Sequence, residues 1–257
     1  MKKTTLQNTN IEKTMHYNNE IELIFNSVKH HYVVNGKTVD GVTSVLGIIA
    51  KPALVYWSAN KAAEYINLNL PVGKSIDEIE KLKLVNGCKT AHRTLKEEAA
   101  DAGRLFHAWA ESYIKKENPE TPTNPMLAKA VEQFLTWEKE KNVKFIFSEK
   151  RVYSRKYDYC GTFDFLAEIN GKLVLADIKT STGIWDEYWL QTAAYKLALQ
   201  EEFPETKVSH SLIIRCGKDG SFEIQEMNDF EKNANAFLGA LILYRRMKEM
   251  KFINNNK

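Results

Sequence analysis

The sequence has few cysteines, no long hydrophobic run and no histidine pair with metal-binding spacing. Its three cysteines cannot supply the four thiolates of an iron–sulfur cluster or an all-cysteine zinc site, and their scatter suits unpaired thiols in a reducing compartment (Cys88, Cys160, Cys216). No apolar run approaches the ~20 residues that cross a bilayer. No apolar stretch follows Lys2 and Lys3, so a signal peptide is not expected. These absences predict a cytoplasmic protein.

The numbers of positive and negative residues are nearly equal, so the net charge excludes few classes of protein. Lysine and arginine number 36 and aspartate and glutamate 33, which gives a net charge of +3. A hydrophobic fraction of 44% in 257 residues is enough for one large domain, or for a core with a smaller appendage. A chain this mildly basic binds nucleic acid only where its positive side chains cluster locally.

The first hundred residues divide into two regions by pattern. Residues 1–20 are polar and lack periodicity, so a flexible N-terminus is expected. Residues 21–100 predict a β-hairpin and helical region, in which Asn35-Gly36 is a two-residue hairpin turn. Asn86-Gly87 is predicted to end a short helix, and a long amphipathic helix is predicted from Thr90 to about Lys116.

Residues 101–257 are predicted to form the core of the fold. β-like segments at 143–152 and 161–169 precede the turn Asn170-Gly171, and Lys172–Lys179 is an apolar strand of the kind found inside sheets. Helices are predicted at 186–199 and 229–250, with strands at 209–216 and 222–225 between them. This order predicts an α/β fold with a mixed central β-sheet flanked by helices and an α-rich N-terminal region.

Two acids and a lysine lie on the strands joined by Asn170-Gly171. Antiparallel pairing about that turn brings Asp164 beside Asp177, and Lys179 shares a strand face with Asp177 because the two are two residues apart. An Asp-x-Lys on a strand is often a solvated ion pair. Two acids meeting at the end of an apolar strand point instead to a hard divalent cation.

A bound magnesium ion would make the two aspartates and the lysine able to act on a phosphate. Asp164, Asp177 and the backbone carbonyl of Ile178 offer part of an octahedral oxygen shell for Mg2+ or Mn2+. Such an ion lowers the pKa of water and stabilises charge on a phosphate, while Lys179 would orient or deprotonate the attacking water.

Four motifs in order resemble the RecB-type branch of the PD-(D/E)XK nucleases, which includes phage exonucleases of the lambda type and the mitochondrial genome maintenance exonuclease. They are Gly-x-x-x-His, Gly-Thr-x-Asp, Asp-x-Lys-Thr and Gln-x-x-x-Tyr, found here at 103–107, 161–164, 177–180 and 191–195. The resemblance covers roughly residues 100–200. Phe163 replaces the proline that the superfamily name implies, and Asp177 stands for the Asp/Glu position.

The resemblance implies a restriction-endonuclease-like core and roles for further residues. His107 would be a metal ligand, although a lone histidine on an amphipathic helix is otherwise a packing residue. Glu111, one turn later, would orient His107, touch a second metal or be a solvated charge. Gln191 and Tyr195 would support the lysine or touch DNA, or simply pack in the core. Glu149 corresponds to an acidic position in the related nucleases. It would contact the metal ligands and not the metal itself.

DNA contacts are expected close to the catalytic strands. Lys150, Arg151, Arg155 and Lys156 form a basic cluster before the hairpin, which would bind phosphates. Thr180 and Ser181 would donate to a phosphate or merely end their strand. Trp185 would stack on an unpaired base or be a core residue.

The function that the resemblance implies is a Mg2+- or Mn2+-dependent deoxyribonuclease. We expect an exonuclease of recombination, repair or phage DNA metabolism, in a bacterial or phage-infected cell. Single- or double-stranded DNA with free ends would be its substrate, and a recombination partner protein or a homo-oligomer is possible. The alternatives are a catalytically inactive DNA-binding module on the same fold and an unrelated protein whose motif is coincidental. These motifs do not determine the direction in which DNA is digested or the number of metal ions. They also do not determine whether the enzyme is an exonuclease or an endonuclease.

Overall fold

The computed structural model of the chain describes residues 11–217 and 220–255. Nine strands and six helices follow one another along the described residues: β1 (Ile11–His16), β2 (Ile21–Asn26), β3 (His31–Val34), β4 (Lys37–Gly41), α1 (Val42–Leu46), α2 (Pro52–Asn69), α3 (Glu78–Ile114), α4 (Pro125–Lys141), β5 (Lys144–Ser154), β6 (Tyr159–Ile169), β7 (Lys172–Lys179), α5 (Asp186–Glu202), β8 (His210–Cys216), β9 (Phe222–Met227) and α6 (Phe230–Asn255).

All nine strands belong to one mixed sheet. The strands β1 to β4 form an antiparallel meander, and β4 joins β6 in parallel. The sheet continues from β6 through β7 and β8 to β9, with β7 and β8 parallel, while β5 pairs along the other edge of β6. The predicted α/β fold with a mixed central sheet is confirmed, and it is compatible with a restriction-endonuclease-like core.

Helices cover both faces of this sheet. On one face α3 and α4 pack on β6, β7 and β8 around the buried rings of Phe106, Phe134 and Phe165. On the other face α1, α5 and α6 pack around Tyr159 and Phe237. A third apolar cluster holds the meander to the start of β6. The outcome is a three-layer core, in which side chains of α3 and α5 approach β6 and β7 from opposite faces.

Local sequence signals explain several element boundaries. Asp77 and Glu80 form a reciprocal capping box that begins α3, and Asn124 caps α4 with Pro125 at its first position. Asn170 and Gly171 both have positive φ, at 51° and 71°, as a two-residue hairpin turn requires. No helix among the described residues combines the length and the apolar character needed to cross a bilayer.

Two predictions of local structure are wrong. Residues 11–16 form β1, so a flexible N-terminus through residue 20 is not correct for this part, while residues 1–10 lie outside the described residues. Strand β1 is mostly exposed and is held by its ladder with β2, so it shows no buried alternation in sequence. Asn86-Gly87 does not end a helix, because α3 runs unbroken from Glu78 to Ile114.

Candidate active site

A gap in the pairing along β6 creates the site. On one edge of β6, β4 pairs with Tyr159 and Cys160, and β7 pairs only from Phe165 onward. The other edge is occupied by β5 along its length. Residues 161–164 therefore have no strand partner on the first edge within the described sheet. This gap contains the Gly-Thr-Phe-Asp segment, and Asp164 lies at its end next to the last pair, Phe165 with Ala176.

Asp164 and Asp177 face each other where β6 and β7 separate. The register that pairs Phe165 with Ala176 would pair these two residues next, as the hairpin turn predicted. Instead the Oδ2 atom of Asp164 accepts a hydrogen bond from the backbone N–H of Ile178 at 2.5 Å. The carboxylate thus replaces a backbone acceptor, which fixes its position at the end of the strand pair.

Lys179 and Asp177 form a buried ion pair on the α5 side of β7. The Nζ atom of Lys179 lies 2.5 Å from Oδ2 of Asp177, and Asp177 is only 2% exposed. Lys179 also donates to Oε1 of Gln191 at 3.0 Å. Its ammonium lies over the ring of Tyr188, 4.6 Å from the centroid. These neighbours hold the ammonium beside the two carboxylates.

His107 enters from the other side on α3. Its Nδ1 atom lies 3.2 Å from Oδ1 of Asp164. Gly103, one helical turn earlier, permits this approach, because a Cβ atom there would lie 2.8 Å from Oγ1 of Thr180 at the end of β7. The glycine and the histidine of the Gly-x-x-x-His segment therefore act together: one lets the helix come close, and the other reaches the carboxylate.

Glu149 completes a group that can hold a metal ion. Its backbone has a positive φ of 47°, and it lies between the pairs Ser148–Phe165 and Lys150–Phe163, level with Asp164. Ligand atoms of His107, Glu149 and Asp164 all lie within 4.8 Å of one another. One imidazole nitrogen and two carboxylate oxygens could hold a metal ion. Sequence reasoning placed Glu149 only behind the ligands.

The electrostatics of the site indicate an excess of buried negative charge. Burial, reinforced by the charge of Asp164, raises the pKa of Glu149 to about 8. Burial also raises the pKa of Asp177, although Lys179 opposes this. Burial alone would lower the pKa of His107, but Asp164 outweighs it and raises the pKa to about 9. A bound divalent cation would relieve the repulsion that keeps protons on these acids.

Gln191 and Tyr195 form a hydrogen-bonded chain that ends on Lys179. The Nε2 atom of Gln191 donates to the hydroxyl of Tyr195 at 2.7 Å, and its Oε1 atom accepts from the lysine. The ring of Tyr195 lies against Gly161, so closely that a Cβ atom at this position would overlap it. The glycine of Gly-Thr-x-Asp thus leaves room for the tyrosine of Gln-x-x-x-Tyr.

The remaining predicted residues near the site have different surroundings. Glu111 forms an ion pair with Lys115 and lies close enough to Glu149 to raise its pKa. Ser181 donates to the backbone carbonyl of Gly183 at 2.7 Å. Trp185 is the N-cap residue of α5 and is 45% exposed, and its ring lies next to Gly183. Sequence reasoning missed Tyr188, whose only signal was its position one turn before Gln191.

The basic residues predicted to bind DNA each have a different contact partner. Arg151 is 9% exposed, pairs with Glu12 at 2.6 Å and lies over the ring of Phe25. Lys150 lies over the rings of Phe147 and Phe203, near the C-terminal end of α5. Arg155 is paired with Glu20 at 2.7 Å, and Lys156 lies over Tyr157. Lys150 and Arg151 are neighbours on β5, so their side chains leave opposite faces of the strand, whereas Arg155 and Lys156 follow the end of the strand.

Comparison with known proteins adds an overall resemblance only. No protein-family model and no curated protein matches the chain. A crystal structure of SSO0001 is similar over 76% of this chain and 86% of that one, at 12% identity and a TM-score of 0.37. A crystal structure of the protein named "Putative exonuclease" from Eubacterium rectale is similar over 82% of this chain and 88% of that one, at 17% identity and a TM-score of 0.39. Similarities of this size carry no argument about function.

Proposed function

We propose that the chain is a divalent-metal-dependent deoxyribonuclease that hydrolyses phosphodiester bonds, with free DNA ends as its substrate. The observation that carries the proposal is the convergence of side chains from α3, β5, β6 and β7 at the gap in β6. They bring one imidazole, three carboxylates and one ammonium together at a partly open site (His107, Glu149, Asp164, Asp177, Lys179). Such a set is costly to bury without a cation and an anionic ligand.

The residues of the chain divide between holding a cation and managing the attacking water. His107, Glu149 and Asp164 would hold Mg2+ or Mn2+, with Asp177 and the carbonyl of Ile178 on its β7 side. When bound, the ion supplies positive charge that polarises the phosphate and acidifies water. Asp164 is tied to the Ile178 N–H, so its second oxygen keeps a fixed direction towards the site.

Lys179 would act on the reacting groups directly. Asp177 and Gln191 hold its ammonium in place, and burial lowers its pKa less than the two aspartates raise it, so it stays protonated. A protonated ammonium orients the water by hydrogen bonding and stabilises the negative charge that builds on the phosphate. Gln191 and Tyr195 are positioning residues, since they act through the lysine.

The surface beside the site supplies contacts for the strand. Thr180 and Ser181 follow Lys179 and would donate to phosphates, and Trp185 would stack on an unpaired base. Lys150, Arg155 and Lys156 would contribute phosphate contacts farther from the site, and Arg151 would shape this region through its pair with Glu12. Stacking on Trp185 favours frayed or single-stranded ends.

The decisive experiment is cleavage of end-labelled linear, circular and single-stranded DNA with Mg2+ or Mn2+. We expect linear DNA to be degraded from its ends and circular DNA to survive, and we expect Lys179→Ala to abolish cleavage while DNA binding persists. Lys196→Ala is the matched control, because this lysine lies on α5 over Phe230 and away from the acids. A protein that binds DNA but cuts no form of it with either metal is a binding module, and the proposal would fail.

A further inference from the structure

Arg151 is a buried arginine of β5 that contacts both the candidate metal site and the N-terminal meander. Its Nη1 atom donates to the backbone carbonyl of Glu149 at 3.2 Å, and its Nη2 atom lies 2.6 Å from Oε2 of Glu12 on β1. The guanidinium also lies over the ring of Phe25 on β2, 5.2 Å from the centroid. One side chain thus joins two strands of the meander to the backbone of a candidate metal ligand.

The backbone of Glu149 has a conformation that is unusual for glutamate. Its φ of 47° lies in the left-handed region, which residues with long side chains seldom adopt. Such a conformation persists only where the surrounding contacts favour it over the extended one. A return to the extended conformation would turn the carbonyl of Glu149 away from its present direction. The hydrogen bond from Arg151 is made to this carbonyl, so it favours the turned backbone.

The backbone conformation of Glu149 also sets the direction of its carboxylate, whose oxygen lies within 4.8 Å of the ligand atoms of His107 and Asp164. We propose that Arg151 is a positioning residue, which holds the backbone of Glu149 so that its carboxylate reaches the metal, and which makes this geometry depend on the meander through Glu12 and Phe25. The inference rests on the metal site of the proposed function and not on DNA as the substrate.

Arg151 can affect Glu149 through its charge as well as through its hydrogen bond. Burial raises the pKa of Glu149 to about 8, and the positive charge of Arg151 opposes this rise. A lysine at this position would keep the charge. It would lose the flat guanidinium, which packs on Phe25 while two separate nitrogens contact the Glu149 carbonyl and the Glu12 carboxylate. The lysine variant therefore separates the effect of charge from the effect of geometry.

The first test is the Mn2+ affinity of the full chain, measured by calorimetry. We expect Arg151→Met to weaken it about tenfold, which is typical when a group that orients a metal ligand is removed. We expect Arg151→Lys to weaken it at least about threefold, because the charge remains but the geometry does not. Unchanged affinity in Arg151→Met would overturn the proposal. Wild-type affinity in Arg151→Lys would also overturn it, because charge alone would then be sufficient.

Arg245→Met is the matched control for a general loosening of the meander. Arg245, on α6, pairs with Asp40 of β4 at 3.2 Å and donates to the backbone carbonyls of Tyr157 and Asp158 in the turn between β5 and β6. It thus attaches the same meander through the same kinds of bond, and we expect its loss to reduce stability in urea but not Mn2+ affinity. Equal losses of Mn2+ affinity in Arg245→Met and Arg151→Met would overturn the proposal.

A milder variant tests the link to the meander even if the Arg151 variants do not fold. The side chain of Glu12 is 53% exposed, so Glu12→Gln removes the charge of the partner without opening the core. We expect it to weaken Mn2+ binding about two- to threefold. Glu22→Gln is its control, because Glu22 pairs with Lys13 within the meander. Equal affinities in the two variants would overturn the dependence on the meander.

A double-mutant cycle tests whether Arg151 acts through Glu149. In a Glu149→Gln background, we expect Arg151→Met to change Mn2+ affinity less than about twofold, because the carboxylate that it positions is gone. A further tenfold loss would show that Arg151 affects the site by another route and would overturn the proposal. Wild type that binds Mn2+ but cuts no DNA would contradict the nuclease alone. Wild type that binds no Mn2+ would overturn this inference together with the metal site.

Discussion

The ring of Tyr188 is a contact of Lys179 that lies outside all four sequence motifs. The ammonium lies 4.6 Å from the ring centroid, and such contacts contribute about 0.5–2 kcal/mol. We expect Tyr188→Leu to lower kcat about 3- to 10-fold with little change in KM, because the lysine loses its platform and not its charge. Tyr188→Phe keeps the ring and should retain most of the activity. An equal loss in both variants would show that the hydroxyl matters and not the ring.

Glu149 is predicted to bind the metal and not merely to lie behind its ligands. Glu149→Gln removes one of the three groups within 4.8 Å of one another, so we expect Mn2+ affinity to fall about 10- to 100-fold by calorimetry. Glu111→Gln is the control, because Glu111 is exposed enough to pair with Lys115 and should change affinity much less. A larger loss in the control would place the second carboxylate on α3.

Part of this site can be predicted from the sequence, and part of it cannot. The meeting of Asp164 and Asp177 follows from the turn at Asn170-Gly171, since a two-residue turn sets the register of the whole hairpin. The orientation of Glu149 does not follow from sequence, because it depends on a positive φ inside a long strand. The contact between Tyr188 and Lys179 depends on how α5 packs on β7, which local spacing does not determine.

At the scale of elements, the close contact between β6 and α5 is set by a glycine. Gly161→Ala would push a methyl group into the ring of Tyr195, so we expect a loss of about 1–3 kcal/mol in unfolding free energy and a drop in activity larger than the loss of folded protein. Gly239→Ala is the matched control, because a Cβ atom there has open space, and alanine stabilises a helix interior. Urea denaturation and kcat of both proteins test this. Unchanged activity in Gly161→Ala would mean that activity does not depend on the present position of the Tyr195 ring.

Another glycine explains why the prediction of a helix end at Asn86-Gly87 is wrong. Asn86-Gly87 is a common helix end, yet α3 continues through it, because Gly87 lies against Tyr65 of α2 and lets the two helices approach. A glycine that ends a helix and a glycine that admits a neighbouring ring look the same in one sequence. The predicted strands and helices of the second half agree more closely with the structure, because buried alternation and tight turns define them locally.

At the scale of the whole molecule, one buried acid adds a polar contact between the N-terminal meander and α5 to the apolar cluster that holds the meander to β6. Glu202, at the end of α5, accepts from the backbone N–H of Tyr17 at 2.9 Å and lies 2.8 Å from Nδ1 of His16. Burial would raise the pKa of Glu202, but His16 and Tyr17, with the charge of Lys150 nearby, hold it below its ordinary value. The ionised carboxylate is therefore the form that stabilises the attachment of β1.

The sign of this pKa shift sets a pH dependence of stability. A depressed carboxyl pKa contributes stability that is present above the ordinary pKa of glutamate and lost as the pH falls through the depressed value. We expect Glu202→Gln to reduce the free energy of unfolding by about 1–3 kcal/mol at pH 7, and we expect the difference from wild type to shrink towards pH 4. Urea titrations at both pH values measure it, with the exposed neighbour Glu205→Gln as the control. A deficit that grows as the pH falls would mean that the protonated acid, and not the carboxylate, holds the meander in place.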